Sequence, residues 1–331
     1  MADITSYRLP DGELHRIYAS QIEPAELPRR SPSAADRDAL RPLALLTVGQ
    51  TGAGKSFLSE SLLPALRQRR AGRPFQVAHL IADTFKTYHP SFSRLMVTNP
   101  RLASAATGHD ARRWLMMAAR EVVARRIDVL LESACRHPGD FPELAQVFRD
   151  AGFRIEVLVL AVPAPLSRLG ILVRFYERLP GAQSRGLPVR LTPVKVHDDS
   201  YAGLVDAAAF LDDSSVADQV LVVRRGNWVA YGEDRGVNKQ VYQAVGVVKA
   251  LQRERERPLT TEETETALKD LNKLTLDEDA AKQVDEVRDM LRPLMSGENA
   301  QDQRWPELVP LEFASRAEDS QGFNVLHLGV H

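Results

Sequence analysis

Between about residue 43 and residue 231 the apolar positions switch regularly between continuous short runs and a helical period. Residues 43–48 are a continuous apolar run, fit for a strand buried on both faces. Phe57, Leu58, Leu62, Leu63 and Leu66 then recur at helical spacing. Residues 77–82 predict a second strand ending at Asp83. Residues 110–126 predict a helix with Leu115, Ala118, Ala119, Val122 and Val123 on one face. A third strand at 129–131 ends at Glu132, a helix follows at 141–150, and 155–162 is a nearly all-apolar fourth strand. Helices at 165–179 and 198–211 come next. Residues 220–223 and 228–231 then flank Arg225-Gly226-Asn227 as a closing β-hairpin. Strands alternating with helices predict an α/β fold, a parallel sheet with helices on both faces. Ligands of such sheets sit at the carboxyl ends of the strands.

The flanks read differently. Residues 1–40 are polar, with one helical stretch at 13–22. Pro24, Pro28, Pro32 and the run Arg29-Arg30-Ser31 then read as a linker, so that 1–40 forms an arm packed on the surface of the core. The core is expected to span 41–235. Beyond it, 236–331 reads as a helical C-terminal extension. A charged helix at 240–256 stops before Pro258, and Thr260 with Glu263 makes a capping-box signature. Ala267, Leu268, Leu271 and Leu274 stripe one helix, and Ala281, Val284, Val287 and Leu291 stripe another that stops near Pro293. The tail from 296 onward reads as loop-rich.

The candidate chemistry begins where the first strand ends. Gly49-Gln50-Thr51-Gly52-Ala53-Gly54-Lys55-Ser56 satisfies G-x-x-x-x-G-K-[ST] at every position, with a strand before it and a helix after it. Glycines let successive backbone N–H groups turn toward phosphate oxygens, and the helix N-terminus adds its positive dipole end. The pattern predicts a bound nucleotide, with Lys55 on the β- and γ-phosphates and Ser56 on Mg²⁺. Asp83 ends the second strand, where a carboxylate could take a proton from a substrate hydroxyl. A helix N-cap also favours Asp, and position alone does not separate the two roles.

Composition narrows the class. In 331 residues, 43 Lys and Arg stand against 44 Asp and Glu, a net charge of −1, so no global basic field points to nucleic acid or a membrane surface. No basic track with interleaved aromatics appears, which sets aside a polynucleotide substrate. Cys135 is the single cysteine, which excludes an internal disulfide and a multi-cysteine metal site. No apolar run approaches membrane length and the first residues lack a signal-type core, so the expectation is a cytoplasmic enzyme.

An ordered set of short motifs resembles the zeta toxin family. The set comprises the P-loop, Asp83-Thr84-Phe85-Lys86 with His89-Pro90, Glu132, Leu169-Gly170 with Arg174, and Arg190 with His197-Asp198, and it spans roughly residues 42–212. The stretch Leu158 to Pro163 is similar to the family's fourth strand. These toxins are bacterial kinases that move the γ-phosphate of ATP onto a sugar hydroxyl of UDP-N-acetylglucosamine. The resemblance implies Asp83 as base, Lys55 and Ser56 on ATP·Mg²⁺, and Arg174 and Arg190 on the transferring phosphoryl group. It also implies a substrate side formed by Asp83, Phe85, Lys86, Glu132, Ser133 and Arg136, and an antitoxin as a possible partner. Arg168 and Arg178 are expected in surface salt bridges. Where the family often reads Glu-Gly-Thr, this chain has Glu132-Ser133-Ala134. Asp110 and Glu121 are the candidates for the family's acidic residue near the acceptor helix. Asp83 or Glu132, through water, is expected to complete the Mg²⁺ shell. The departures fall on the acceptor side, so another nucleotide, a NAD-like cofactor or an antibiotic hydroxyl stands as an alternative acceptor. A nucleotide-binding switch or partner-binding module without acceptor chemistry is the reading from another class.

Overall fold

The computed structural model describes residues 4–28, 41–69, 77–183, 191–235, 241–242, 245–274, 278–296, 305–314 and 323–329. Five strands, β1 (Leu43–Val48), β2 (Val77–Ile81), β3 (Asp128–Ser133), β4 (Arg154–Leu160) and β5 (Gln219–Arg224), form a parallel set in the order β2-β3-β1-β4-β5. The hairpin strand β6 (Trp228–Asp234) joins β5 antiparallel, and β7 (Val241–Tyr242) and β8 (Val309–Pro310) pair with β6. The sheet thus has eight strands.

The continuous apolar run of β1 has a simple cause. Ala44, Leu46 and Val48 enter one buried cluster, while Leu43 and Leu45 enter the other, so side chains alternate between two covered faces. The first face packs under the helices Pro100–Arg125, Asp140–Asp150 and Val194–Asp213. The second packs under Lys55–Arg69 and Ala164–Gln183. At about 1.5–3 kcal/mol for each fully buried large apolar side chain, burial on both faces fixes the strand's register firmly.

Several elements depart from their expected bounds. The helix expected at 110–126 begins ten residues earlier, at Pro100, with the proline in its first turn. Proline is tolerated there because its missing N–H has no partner in a helix start, but small residues and Gly108 blur the apolar stripe before Asp110. Two short helices, Ala82–Lys86 and Phe92–Thr98, lie between β2 and that long helix. The expected helix at 240–256 is Val247–Glu256, and Val241–Tyr242 just before it is a strand. The C-terminal extension is therefore not wholly helical: β7 and β8 extend the sheet, and Glu312–Phe313 pairs with Val325–Leu326.

Both flanks are bound into the core. Leu14, Ile17 and Ile22 of the N-terminal arm are at most 1% exposed and share the cluster that holds Ala44 and Trp114. Trp114 Nε1 donates to the Leu14 carbonyl at 2.9 Å. The expected surface arm is thus a core element, continuous from Asp11–Ile17 through a π-helical turn at Tyr18–Ile22 to Glu23–Glu26. Pro24 sits in the first turn of the last piece rather than in a linker; Arg29, Arg30, Ser31 and Pro32 lie outside the described residues. In the extension, Thr261–Lys273 and Glu278–Ser296 pack on the Ala164–Gln183 helix. The carboxylate of Asp212 accepts from Val247 N at 2.7 Å and Val248 N at 3.0 Å. The tail is pinned to β4, where Glu156 accepts from Leu328 N at 2.8 Å and Gly329 N at 3.0 Å.

Candidate active site

The parallel register carries Gly49–Ser56, Asp83 and Glu132 to one edge of the sheet. Thr47 lies opposite Glu132 and Val48 opposite Ser133, so the acid emerges beside the strand that enters the P-loop. Lys55 Nζ folds back on the loop and donates to the carbonyls of Gly49 at 2.7 Å and Gln50 at 3.3 Å. Burial lowers the pKa of Lys55, opposed by the nearby carboxylates Glu132 and Asp83.

The loop is held from below by a polar chain. Gln50 Nε2 donates to the Val162 carbonyl at 2.6 Å and to Ser167 Oγ at 3.2 Å. Ser167 Oγ meets His197 Nε2 at 2.8 Å, and His197 Nδ1 meets Asp198 at 2.9 Å. Burial keeps the pKa of His197 below its ordinary value. Thr51 N donates to Ser200 Oγ at 3.1 Å. Arg225 donates to the carbonyls of Gly52 at 2.8 Å and Leu166 at 2.9 Å. Gly52 has a φ of +84°, and a Cβ there would stand 2.1 Å from the Ser167 carbonyl. A Cβ on Gly170 would stand 3.0 Å from the Gly52 carbonyl and 2.8 Å from the Arg225 guanidinium. The Leu169-Gly170 pair thus has a physical reason: the loop and the helix approach too closely for a side chain.

Ser56 Oγ donates to Glu132 Oε2 at 3.2 Å, and Glu132 Oε1 meets His79 Nε2 at 3.0 Å. Burial acts to raise the Glu132 pKa, but the hydrogen bond from His79 with the charges of His79 and Lys55 outweighs it and the carboxyl is held below its ordinary value. Hard oxygen donors that stay ionised beside a P-loop fit Mg²⁺, which takes few protein ligands and keeps water and phosphate oxygens.

Asp83 lies in the first turn of Ala82–Lys86, whose N-cap is Ile81. Its side chain is 80% exposed and takes Lys86 Nζ at 2.6 Å, so it does not cap the helix. Burial of the surrounding site acts to raise its pKa, but Lys86, then Lys55 and Arg174, overcome this and hold it low. Asp83 opens into a cavity of about 800 Å³ that Thr51, Lys86, Arg136 and Arg174 also line. Burial and the neighbouring Arg178 lower the Arg174 pKa, opposed by Asp83.

The other expected residues sort as follows. Ser133 and Arg136 line the cavity, and Arg136 pairs with Asp199 at 3.8 Å. Phe85 is 1% exposed within the core, so its part is packing rather than substrate contact. Glu132 is directed to Ser56 and His79 and is absent from the cavity lining, so it stands beside the P-loop helix rather than among the side chains of the cavity. Asp110 is fully buried and accepts from Leu9 N at 3.0 Å, with His89 at 3.4 Å; it anchors the N-terminal arm. Glu121 pairs with Arg125 at 2.6 Å. Neither faces an acceptor. Arg168 bridges Asp198 at 2.9 Å, as a salt-bridge reading expects. Arg190 lies outside the described residues.

Residues 29–235 match the sequence model of the zeta toxin family. The chain belongs to the zeta toxin family. The toxin PezT of Streptococcus pneumoniae serotype 4 is 22% identical over 204 residues, which is 61% of this chain and 76% of that protein. Among solved structures, the PezAT chromosomal toxin–antitoxin system of S. pneumoniae superposes with a TM-score of 0.61 at 19% identity, covering 81% of this chain and 98% of that one. The AvrRxo1-ORF1:AvrRxo1-ORF2 complex superposes at 0.46 with 14% identity, covering 86% of both chains. The family match begins at residue 29 and ends at residue 235, so the arm that carries Leu14 and the extension that carries Glu263 lie outside it. Sequence reasoning missed four supports of this zeta toxin P-loop: Ser167, Ser200, Arg225 and the Gln50 side chain. Polar residues inside otherwise helical or strand patterns have no spacing signature; only their partners reveal them. No helix among the described residues is long and apolar enough to cross a membrane.

Proposed function

We propose that the protein is an ATP-dependent kinase that phosphorylates a hydroxyl of UDP-N-acetylglucosamine or a related nucleotide sugar. The observation that carries this reading is the convergence of Asp83 and Arg174 on one cavity that Thr51 of the P-loop also lines, with Lys55 near enough to both for their charges to act on it. Lys55 holds the β- and γ-phosphates. Asp83, kept ionised by Lys86, takes the proton of the acceptor hydroxyl as its oxygen bonds to the γ-phosphorus and the bond to the β,γ-bridging oxygen breaks, releasing ADP. Arg174 offsets charge on the equatorial oxygens, and Arg190 is proposed for the same task from the resemblance. Ser56 and Glu132 would hold Mg²⁺, which supplies charge neutralisation to the β- and γ-oxygens when bound.

The cationic lining of the cavity supports an acceptor that bears phosphates. Lys86, Arg112 and Arg136 line it together with Arg8 and His15 from the N-terminal arm. The resemblance of the chain to toxins of toxin–antitoxin pairs supports an antitoxin as partner. The test is incubation with γ-labelled ATP and a panel of nucleotide sugars, nucleotides, NAD and aminoglycosides, read by mass spectrometry. A phosphorylated nucleotide sugar formed by the wild type and not by Lys55→Ala is the expected result. Phosphorylation of a different panel member replaces the acceptor, and no transfer to any of them overturns the kinase reading.

A further inference from the structure

The helix Val247–Glu256 lies beyond the stretch that matches the family and packs on the Val194–Asp213 helix. Arg255, near its end, is only 7% exposed. Its guanidinium lies over the Tyr201 ring, 3.5 Å from the centroid, and donates to the Tyr201 carbonyl at 2.9 Å. Its Nε has no hydrogen-bond partner. Burial pulls the Arg255 pKa down to about 10, opposed by Tyr201 and by no carboxylate among the described residues, so the side chain stays a cation at neutral pH. Burying a cation without a counter-ion costs stability. A methionine would cover Tyr201 without that cost. A charge kept in such a place points to a task beyond packing.

Tyr201 joins Arg255 to the supports of the phosphate loop. Its ring stacks on His197, with centroids 5.8 Å apart and planes 21° from parallel. Its hydroxyl is hydrogen-bonded to the backbone of Ala164, the first residue of the helix that carries Ser167. His197 in turn secures two consecutive loop residues. Its Nε2 meets Ser167 Oγ at 2.8 Å, and that oxygen accepts from the Gln50 side chain at 3.2 Å. Its carbonyl accepts from Ser200 Oγ at 2.8 Å, and that oxygen accepts from Thr51 N at 3.1 Å. Fixing Gln50 and Thr51 fixes the first turn of the loop, on which the aim of the following N–H groups depends. Arg255 thus bears on the loop through two bonded branches without touching it.

We propose that Arg255 is a positioning residue for phosphoryl transfer: its cation, clamped on Tyr201, keeps His197 seated and so holds Gln50 and Thr51 of the P-loop in their phosphate-binding conformation. The proposal rests on the kinase reading above. A planar guanidinium suits the task, because it stacks on the phenol and still has an N–H for the carbonyl. The C-terminal extension is then part of the loop's support, although it shares no residue with the family pattern.

The experiment titrates the full chain with inorganic tripolyphosphate and magnesium chloride in a calorimeter, since this probe reports on the phosphate loop alone. Arg255→Met keeps a packed stem over Tyr201 and drops the charge. It should melt at or above the wild-type temperature, because an unpaired buried cation is gone. It should nevertheless bind tripolyphosphate about threefold to thirtyfold more weakly, the span of a cation–π contact. Arg255→Lys, which keeps a cation over the ring, should bind more tightly than Arg255→Met. In a Tyr201→Leu background, Arg255→Met should change affinity by less than about twofold, because the ring through which the cation acts is gone. A merely structural arginine would give the reverse pattern, a lower melting temperature with wild-type affinity, and that result overturns the proposal. Equal affinities of the Lys and Met variants overturn it too, as does an equal cost of Arg255→Met with and without Tyr201. Should the Tyr201→Leu chain not fold, the comparison of Met with Lys at position 255 decides alone. Wild-type protein that binds no tripolyphosphate overturns the phosphate-loop reading and this proposal together, whereas wild-type binding matched by Arg255→Met overturns only the proposal.

Discussion

Asp83 shows how a single residue's role is decided by its partners. Its carboxylate bonds an ammonium and projects into the cavity, so Asn should preserve the local structure. The lost pairing with Lys86 is worth at most about 1 kcal/mol at so exposed a site. Loss of base catalysis costs about 10²–10⁴-fold. Asp83→Asn should therefore melt within a degree or two of wild type, bind ATP, and turn over at least 100-fold more slowly. Melting and turnover measured on one preparation check this, and near-wild-type turnover removes Asp83 as base. Glu132 gives a pH prediction. Its folded pKa is depressed, so its ionised form adds stability above the unfolded carboxyl range, and that stability is lost as pH falls through the folded value. With His79→Ala the largest contribution opposing burial is lost and the folded pKa rises. The acid limb of a melting-temperature profile should then begin at higher pH in His79→Ala than in the wild type. Coincident acid limbs would count against the His79–Glu132 pair.

At the scale of elements, the P-loop is held by side chains from helices and a turn distant in sequence. Ala164–Gln183 supplies Ser167 and Gly170, Val194–Asp213 supplies His197 and Ser200, and the β5–β6 turn supplies Arg225. Gly170→Ala tests that dependence. The new methyl meets the Gly52 carbonyl and Arg225, so either the loop or the guanidinium must move. Overpacking of this kind costs about 1–3 kcal/mol. The expected outcome is a melting point a few degrees lower and ATP affinity several-fold weaker. Wild-type affinity by calorimetry would mean that the contact does not set the loop.

At the scale of the whole molecule, the arm and the extension each line a cavity beside the P-loop. The arm lines the larger cavity through Arg8 and His15, and the extension lines the smaller one through Thr266. Trp114→Phe should test the arm's attachment, because it leaves the buried Leu14 carbonyl without its side-chain donor. The Leu14 carbonyl keeps its bond from Tyr18 N, so the loss is that of one hydrogen bond, about 0.5–1.5 kcal/mol, to be read as a lower denaturation midpoint with unchanged slope. Membership of the zeta toxin family motivates a cellular prediction. Expression of the wild type in a bacterium should slow growth, and Asp83→Asn at matched level should not. Equal growth of the two strains would end the toxin reading while leaving the kinase reading to the transfer assay.

Local order in the chain was enough for the sheet, the P-loop and the hairpin. A continuous apolar run means burial on two faces, and a Gly-rich loop between such a run and a helix has few other uses. Lys55 and Ser56 were legible from the P-loop pattern, whereas position left Asp83 between two roles and Arg174 came only from the resemblance to the zeta toxin family. Tertiary structure alone turned Glu132 toward Ser56, put Phe85 and Asp110 in the core, and drew the arm into the apolar cluster around Trp114. It also brought Glu263 to Arg224 across 39 positions and Ser200 to Thr51 across 149. Such pairs leave no period in the sequence, because a buried polar group answers only to the partner that folding places beside it.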